Sequence, residues 1–94
     1  MPKINVGDHV RDKGPIMEEG KKGKTDELVV VEICAERAKD KELGDSTVAD
    51  FNPGYPEDDV VYGCVYSKGN ALNIRNLEVY YFPRTRLELV RSLE

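Results

Sequence analysis

The chain has 94 residues, 39% of them hydrophobic, which is enough for one small globular domain and leaves no room for a second core. Its net charge of −4 argues against DNA binding, because nucleic-acid-binding proteins take most of their affinity from basic residues that neutralise phosphates. No apolar run approaches the ~20 residues of a membrane span, and no signal peptide is recognisable. We therefore expect a cytoplasmic monomer that does not bind membranes.

The two ends of the chain have the pattern of the first and last strands of one small barrel. Residues 4–11 predict a turn at Gly7 and Asp8 followed by a short strand. Residues 81–90 predict a strand, a tight turn begun by Pro83 and a final strand. A short domain that opens and closes in this way is typical of an SH3-like β-barrel, a fold that carries no particular activity with it.

The first half of the chain between these ends contains one loop and one clear strand. Residues 17–26 combine two glycines with charges of both signs and predict a mobile charged loop. Residues 28–35 are dense in β-branched side chains and predict a strand. We expect one face of this strand to carry Val29, Val31, Ile33 and Ala35. The segment 35–43 has helix-forming residues and is open between a short helix and a continued bent strand, and a hairpin turn at 43–47 favours the strand.

The second half of the chain predicts further short strands separated by turns. Residues 47–51 alternate in polarity and predict a strand, and the two prolines of segment 52–59 predict a rigid loop. Residues 60–66 predict another strand, in which Gly63 marks a bulge, a bend or a close backbone approach.

Together these segments predict a mostly β domain spanning residues 1–92. Its expected architecture is a small, partly open SH3-like barrel of five or six antiparallel strands. An α+β fold with a short helix at 35–43 is the alternative. Residues 93–94 are interpreted as a remnant of cloning and are left out of the fold.

The residues that carry chemistry do not form a recognisable catalytic or metal-binding motif. Cys34 and Cys64 each lie in an apolar strand-like run, where buried, reduced thiols are the expected state. His9 is the only histidine, and these three residues lack the short spacing of a zinc site. We therefore expect no cofactor and no metal. A small enzyme or enzyme accessory subunit that uses His9 and loop carboxylates remains the alternative to a binding protein.

Part of the chain resembles a family of small archaeal proteins from haloarchaea and methanogens. The resemblance is carried by four short motifs, Val48-Ala49-Asp50, Asn52-Pro53, Tyr55-Pro56 and Asp58-Asp59. It implies the SH3-like barrel and brings no activity, cofactor or partner with it.

The remaining candidate for function is a recognition surface. All seven aromatic residues lie in the second half of the chain. In small barrels such residues line grooves that take peptides or stack on bases. We expect Phe51, Tyr81 or Phe82 to be mostly buried, and Tyr55, held between two prolines, to be exposed. Arg84, Arg86 and Arg91 form the one predicted positive patch.

The sequence therefore predicts a non-catalytic binding module for a protein or RNA partner. The candidate binding residues are Tyr55, Asp58, Asp59, Tyr62, Arg84 and Arg86.

Overall fold

The computed structural model describes residues 3–14, 27–66 and 78–92. Within these ranges the chain is mostly β, with one helical turn, α1 (Val48–Phe51), and one 3₁₀ turn (Arg84–Arg86). The strands are β1 (His9–Asp12), β2 (Glu27–Arg37), β3 (Glu42–Leu43), β4 (Ser46–Thr47), β5 (Val60–Tyr66), β6 (Tyr80–Pro83) and β7 (Leu87–Arg91). The predicted loop at 17–26 and residues 93–94 lie outside the described residues.

Five strands form one antiparallel sheet in the order β6-β5-β2-β1-β7, and β3 and β4 form a separate hairpin. Pairing of β1 with β7 brings the two ends of the domain together, and the 3₁₀ turn carries the chain from β6 to β7. The two end strands of the sheet do not pair with each other, so the barrel is open. The predicted class, a mostly β, partly open SH3-like barrel, is confirmed.

A bulge in β2 moves side chains from one face of the sheet to the other. Val30 stands opposite Cys64, but Glu32 stands opposite Gly63, so β2 contains one extra residue at this point. Ile33 then pairs with Tyr62, because the register has shifted by one. Residues directly opposite each other point to the same face of the sheet, so Ile33 shares a face with Tyr62. The next residue, Cys34, therefore points to the other face.

The sheet is therefore packed on both faces. The larger cluster fills the barrel and consists of Ile4, Val10, Leu28, Val30, Tyr62, Cys64, Phe82 and Leu87. The second cluster consists of Cys34, Ala38, Val48 and Val61, with Leu43, Ala49 and Tyr81 packed against it. Residues 61–64 are buried without interruption, as expected for a strand covered on both sides.

The predicted face of β2 is wrong from the start of the strand, before the bulge. Leu28 and Val30 are completely buried, whereas Val31 and Ile33 are 42% and 43% exposed. Both alternating sets of this strand are apolar, so alternation alone does not show which set faces the core.

Three other local predictions are resolved by the structure. The predicted strand at 47–51 is wrong, because only Thr47 belongs to a strand and the next four residues form α1. The helix considered for 35–43 is also absent: β2 continues to Arg37, a turn follows, and β3 begins at Glu42. The predicted hairpin turn at 43–47 is confirmed, with Gly44 at a φ of 70° that favours glycine.

Both cysteines are buried free thiols, as predicted. They lie in the two clusters on opposite faces of the sheet. Burial raises the pKa of Cys64 to about 12, and burial also raises the pKa of Cys34. Neither thiol is thus poised to act as a thiolate nucleophile at neutral pH.

Candidate functional site

An apolar groove of about 300 Å³ opens beside β6, at the edge of the sheet. We call it the β6 groove. Its lining residues come from β3, α1, β6 and the segments that flank them: Leu43, Phe51, Asn52, Val79, Tyr80, Tyr81, Phe82 and Arg86. The groove combines five aromatic or aliphatic side chains that are partly or largely exposed with a polar end formed by Asn52 and Arg86.

The exposed part of this lining is unusually apolar for a surface. Phe51 is 58% exposed, and Val79 and Tyr80 are 37% and 38% exposed. Singly exposed apolar side chains are normal on a protein surface, but a contiguous set in a concavity marks an interaction site. The groove is therefore the strongest candidate for a functional site in the described residues.

The position of Phe51 follows from the capping of α1. The Thr47 hydroxyl accepts a hydrogen bond from the Asp50 amide at 3.3 Å, and the Asp50 carboxylate accepts one from the Thr47 amide at 2.9 Å. This reciprocal capping box starts the helical turn. Val48 then faces the second cluster, and Phe51 ends the turn on its exposed side.

Gly63 on β5 makes room for the wall of the groove that Val79 and Tyr81 form. A Cβ placed on Gly63 would lie 3.0 Å from Val79 Cγ1 and 3.1 Å from Tyr81 Cε1. The absence of a side chain therefore lets the side chains of Val79 and Tyr81 approach β5 closely, whereas the alternatives predicted at Gly63 were a bulge, a bend or a close approach of backbone.

The groove extends around the edge of β6 to both faces of the strand. Four consecutive residues, 79–82, line it. Successive side chains of a strand point to opposite faces, so Tyr80 and Tyr81 reach the groove from opposite sides. β6 is the last strand of the sheet in the part of the chain that the structure describes.

The polar end of the groove is held by Arg86. Its guanidinium donates to both Asp12 oxygens at 2.5 and 2.9 Å and to the Asn52 side-chain oxygen at 2.8 Å. It also lies 5.3 Å from the centre of the Phe82 ring. Asn52 in turn donates to the Val48 carbonyl at 2.7 Å, which ties the end of α1 to the same network.

Of the six predicted binding residues, Arg86 alone lines the groove, and the two tyrosines serve the fold. Tyr55 was predicted to be exposed but is partly buried, and its hydroxyl donates to the Gly14 carbonyl at 2.6 Å. Burial raises the pKa of Tyr55. Tyr62 is only 7% exposed and its hydroxyl donates to the Ile4 carbonyl at 3.1 Å. Both phenols are used to fasten distant parts of the chain to each other.

The predicted acidic and basic positions are also separated by the structure. Asp58 is exposed, whereas the Asp59 carboxylate accepts from the Thr85 amide at 2.7 Å and fixes the 3₁₀ turn. Arg84 donates to the Leu87 carbonyl at 3.1 Å.

The predicted positive patch is not available as a cluster of free charges. Arg86 is paired with Asp12, and Arg91 lies 2.9 Å from Glu27. A backbone phosphate at Arg86 or Arg91 would have to compete with these carboxylates.

His9 has acquired a carboxylate neighbour away from the groove. Its Nδ1 contacts Glu27, and Arg91 approaches the same nitrogen at 3.4 Å. None of these three residues lines the β6 groove. Among the described residues, no group of three or more histidine, cysteine or carboxylate side chains is arranged to hold a metal ion.

The sequence interpretation missed most of the groove. Of the three aromatics among which burial was expected, Phe51, Tyr81 and Phe82, the structure buries Phe82 and leaves Phe51 58% exposed. The signal that was present is the Thr47-x-x-Asp50 spacing, which is the signature of a helix start and argues against a strand at 47–51.

The architecture and the groove define the class of this protein: a small, open SH3-like barrel with an apolar cleft at an end strand. Comparison with protein-family models, with curated proteins and with solved structures finds no match. The resemblance to small archaeal proteins therefore stays a prediction. Among the described residues, no helix is both long and apolar enough to cross a membrane.

Proposed function

We propose that this protein is a non-catalytic binding module that takes a segment of a partner protein into the β6 groove, as a monomer in the cytoplasm. The observation that carries the proposal is the cluster of exposed apolar side chains in one concavity, with Phe51 the most exposed of the large apolar residues. Two free thiols fit a reducing compartment. A monomer fits the two end strands of the sheet. Pro83 in β6 and the charged residues of β7 both oppose pairing of a sheet edge with another copy of the chain.

A protein partner is favoured over RNA by the charges around the groove. The chain carries a net charge of −4, and Arg86, the one arginine in the groove, is bound to Asp12 and Asn52. An RNA phosphate would meet carboxylates without an unpaired arginine to bind it, whereas an apolar peptide side chain would gain from leaving water.

The alternative of a small enzyme receives less support. It requires a reactive pair inside a cavity that holds substrate. His9 contacts Glu27, but the pair is outside the groove, and Cys34 and Cys64 lie in the two apolar clusters.

The proposal is tested by selection from a random-peptide phage library on the immobilised protein. Selected peptides are expected to share a sequence pattern and to bind Phe51→Ala about tenfold more weakly, since a large buried side chain contributes about 1.5 kcal/mol or more. Val6→Ala is the matched control, because Val6 is 51% exposed and does not line the groove. Its affinity for the peptides should equal that of the unmodified protein.

Two results would overturn the proposal. One is the absence of a shared pattern together with equal binding by the two variants. The other is binding of a random RNA pool that Phe51→Ala abolishes, which would assign the groove to RNA.

A further inference from the structure

We propose that the β6 groove selects a large apolar side chain together with the uncharged amide carbonyl beside it, and that Arg86 makes this selection. This inference rests on the proposed function and names the chemistry of the segment that binds at the same site. Three observations support it: the hydrogen bonds that Arg86 makes, the N–H groups that these bonds leave unused, and the size of the groove.

Arg86 keeps unused hydrogen-bond donors at the polar end of the groove. Its Nε and Nη2 each donate to Asp12, and its Nη1 donates to the Asn52 side-chain oxygen. A guanidinium has five N–H groups, so one on Nη1 and one on Nη2 are left over. No further hydrogen bond of the Arg86 side chain is found in the part of the chain that the structure describes.

The guanidinium is held in place before any ligand arrives. The bidentate pair with Asp12 fixes one side of it, and Asn52, which is itself bonded to the Val48 carbonyl, fixes Nη1. The Phe82 ring lies against it at 5.3 Å. A donor fixed in advance loses little conformational freedom on binding, so its hydrogen bond adds more to affinity than that of a mobile surface arginine.

An apolar ligand in the groove would cover these unused N–H groups. Arg86 lines the same concavity as Phe51, Val79 and Tyr80, and its side chain is already only 15% exposed. A donor that loses water without gaining an acceptor costs free energy, whereas a carbonyl oxygen would accept a charge-assisted hydrogen bond from it. The bound segment is therefore expected to bring an acceptor to the polar end.

This acceptor is expected to be uncharged. Asp12 already neutralises Arg86, and a second carboxylate on the same guanidinium would lie close to that of Asp12 and be repelled by it. The net charge of −4 acts in the same direction. An ammonium group would place donors against donors. An amide carbonyl avoids both conflicts, and every residue of a peptide carries one.

The size of the groove limits the apolar part of the ligand. Its volume of about 300 Å³ is at the lower end of the ~300–1,000 Å³ that ligand pockets span. The groove therefore suits one large side chain and the amide next to it, rather than a long stretch of peptide.

The test measures binding of three small probes to the isotope-labelled full chain by two-dimensional amide NMR. The probes share a phenyl group on a short alkyl chain. Hydrocinnamamide is phenylalaninamide without its amino group, hydrocinnamate carries a carboxylate instead of the amide, and phenylpropylammonium carries a cation. Millimolar dissociation constants are expected for ligands of this size. Hydrocinnamamide should bind at least about fivefold more tightly than either charged probe.

Asp12→Asn tests the role of Arg86 without removing its side chain. This variant leaves the guanidinium charge uncompensated, so the preference should reverse and hydrocinnamate should bind at least as tightly as hydrocinnamamide. Glu88→Gln is the matched control, because it changes the net charge equally and Glu88 is exposed on β7, outside the groove. It should leave the ratio of the two affinities unchanged.

The amide spectrum of each variant also shows whether it is folded. If Asp12→Asn does not fold, the comparison of the three probes on the unmodified protein decides the question by itself.

Equal affinities of the unmodified protein for hydrocinnamamide and hydrocinnamate would overturn the inference. The same change of preference in Asp12→Asn and Glu88→Gln would overturn it as well, since it would reflect net charge alone. If phage-selected peptides bind in a Phe51-dependent way and hydrocinnamamide does not bind, the proposed function stands and this inference fails.

Discussion

At the scale of single residues, Arg86 shows how a charge that appears to serve recognition is used by the fold. Its side chain is 15% exposed and that of Asp12 is 16% exposed, so both charges are largely removed from water. The bidentate geometry satisfies this pair, and the bond to Asn52 connects it to α1. Arg86 therefore links β1, the 3₁₀ turn and α1, which together form the polar end of the groove.

We expect Arg86→Ala to lower the free energy of unfolding by about 2–3 kcal/mol, because it leaves the Asp12 carboxylate without its partner in a mostly buried place. The measurement is urea unfolding followed by circular dichroism. Arg91→Ala is the control: Arg91 is 63% exposed in its pair with Glu27, so a loss below about 1 kcal/mol is expected. Equal losses in the two variants would contradict the structural role of Arg86.

The buried thiol of Cys64 predicts a dependence of stability on alkaline pH. The pKa of Cys64 is about 12 in the folded protein, raised first by burial from its ordinary value of 9.0. The folded state thus disfavours the thiolate, and the stability that depends on the protonated thiol is lost as the pH rises from about 9 to about 12.

Over that range we expect Cys64 to contribute a decrease of up to about 1.4 kcal/mol per pH unit in the free energy of unfolding. Urea unfolding at a series of pH values, compared between the unmodified protein and Cys64→Ala, measures this contribution as the difference in slope. Identical slopes would show that Cys64 titrates alike in both states.

At the scale of elements, the short helix α1 shows how one capping residue decides the type of a segment. Alternating polarity at 47–51 fits a strand, but the reciprocal bonds between Thr47 and Asp50 satisfy amides that a strand would leave to a neighbour. Val48 becomes fully buried in the second cluster, and this packing supports a helical turn that is too short to be stable alone.

Thr47→Ala is expected to lower the free energy of unfolding by about 1 kcal/mol, the usual cost of losing an N-cap, and to weaken peptide binding in the β6 groove by loosening Phe51. Ser46→Ala on the same short strand is the control and should change both quantities little. Chemical unfolding measures the first effect, and the affinity for the phage-selected peptides measures the second. An unchanged stability of Thr47→Ala would show that the capping box does not hold α1.

At the scale of the whole molecule, the pairing of β1 with β7 completes the barrel. Val10 stands opposite Leu89 and Asp12 opposite Leu87 in this pairing. Leu87 is 1% exposed and packs in the barrel cluster with Ile4 and Val10, from the other end of the chain. Most of the contacts that hold the fold thus join residues distant in sequence.

Leu87→Ala is therefore expected to cost about 3 kcal/mol of unfolding free energy, the sum of lost burial and a residual cavity. Leu89→Ala, at a partly buried neighbour in β7, should cost clearly less. Thermal and urea unfolding of both variants check this order. A larger loss for Leu89→Ala would show that Leu87 is not the better buried of the two leucines in the barrel cluster.

The fold class and the free cysteines were predictable from the sequence, because they depend on local patterns. Short apolar runs, turns rich in glycine and proline, and a strand at each end specify a small barrel without knowledge of which strands meet. The hairpin turn at 43–47 was predictable for the same reason, because a turn depends on the residues of the turn itself.

The groove and the engagement of the arginines were decided by the tertiary structure alone. A single extra residue in β2 changes which side chains face the core, and only the pairing with β5 reveals it. Arg86 binds Asp12 across 74 residues, and Phe51 lines one groove with Val79 and Tyr80 because α1 lies beside β6. Composition and periodicity describe neighbours along the chain, whereas a binding site requires neighbours in space.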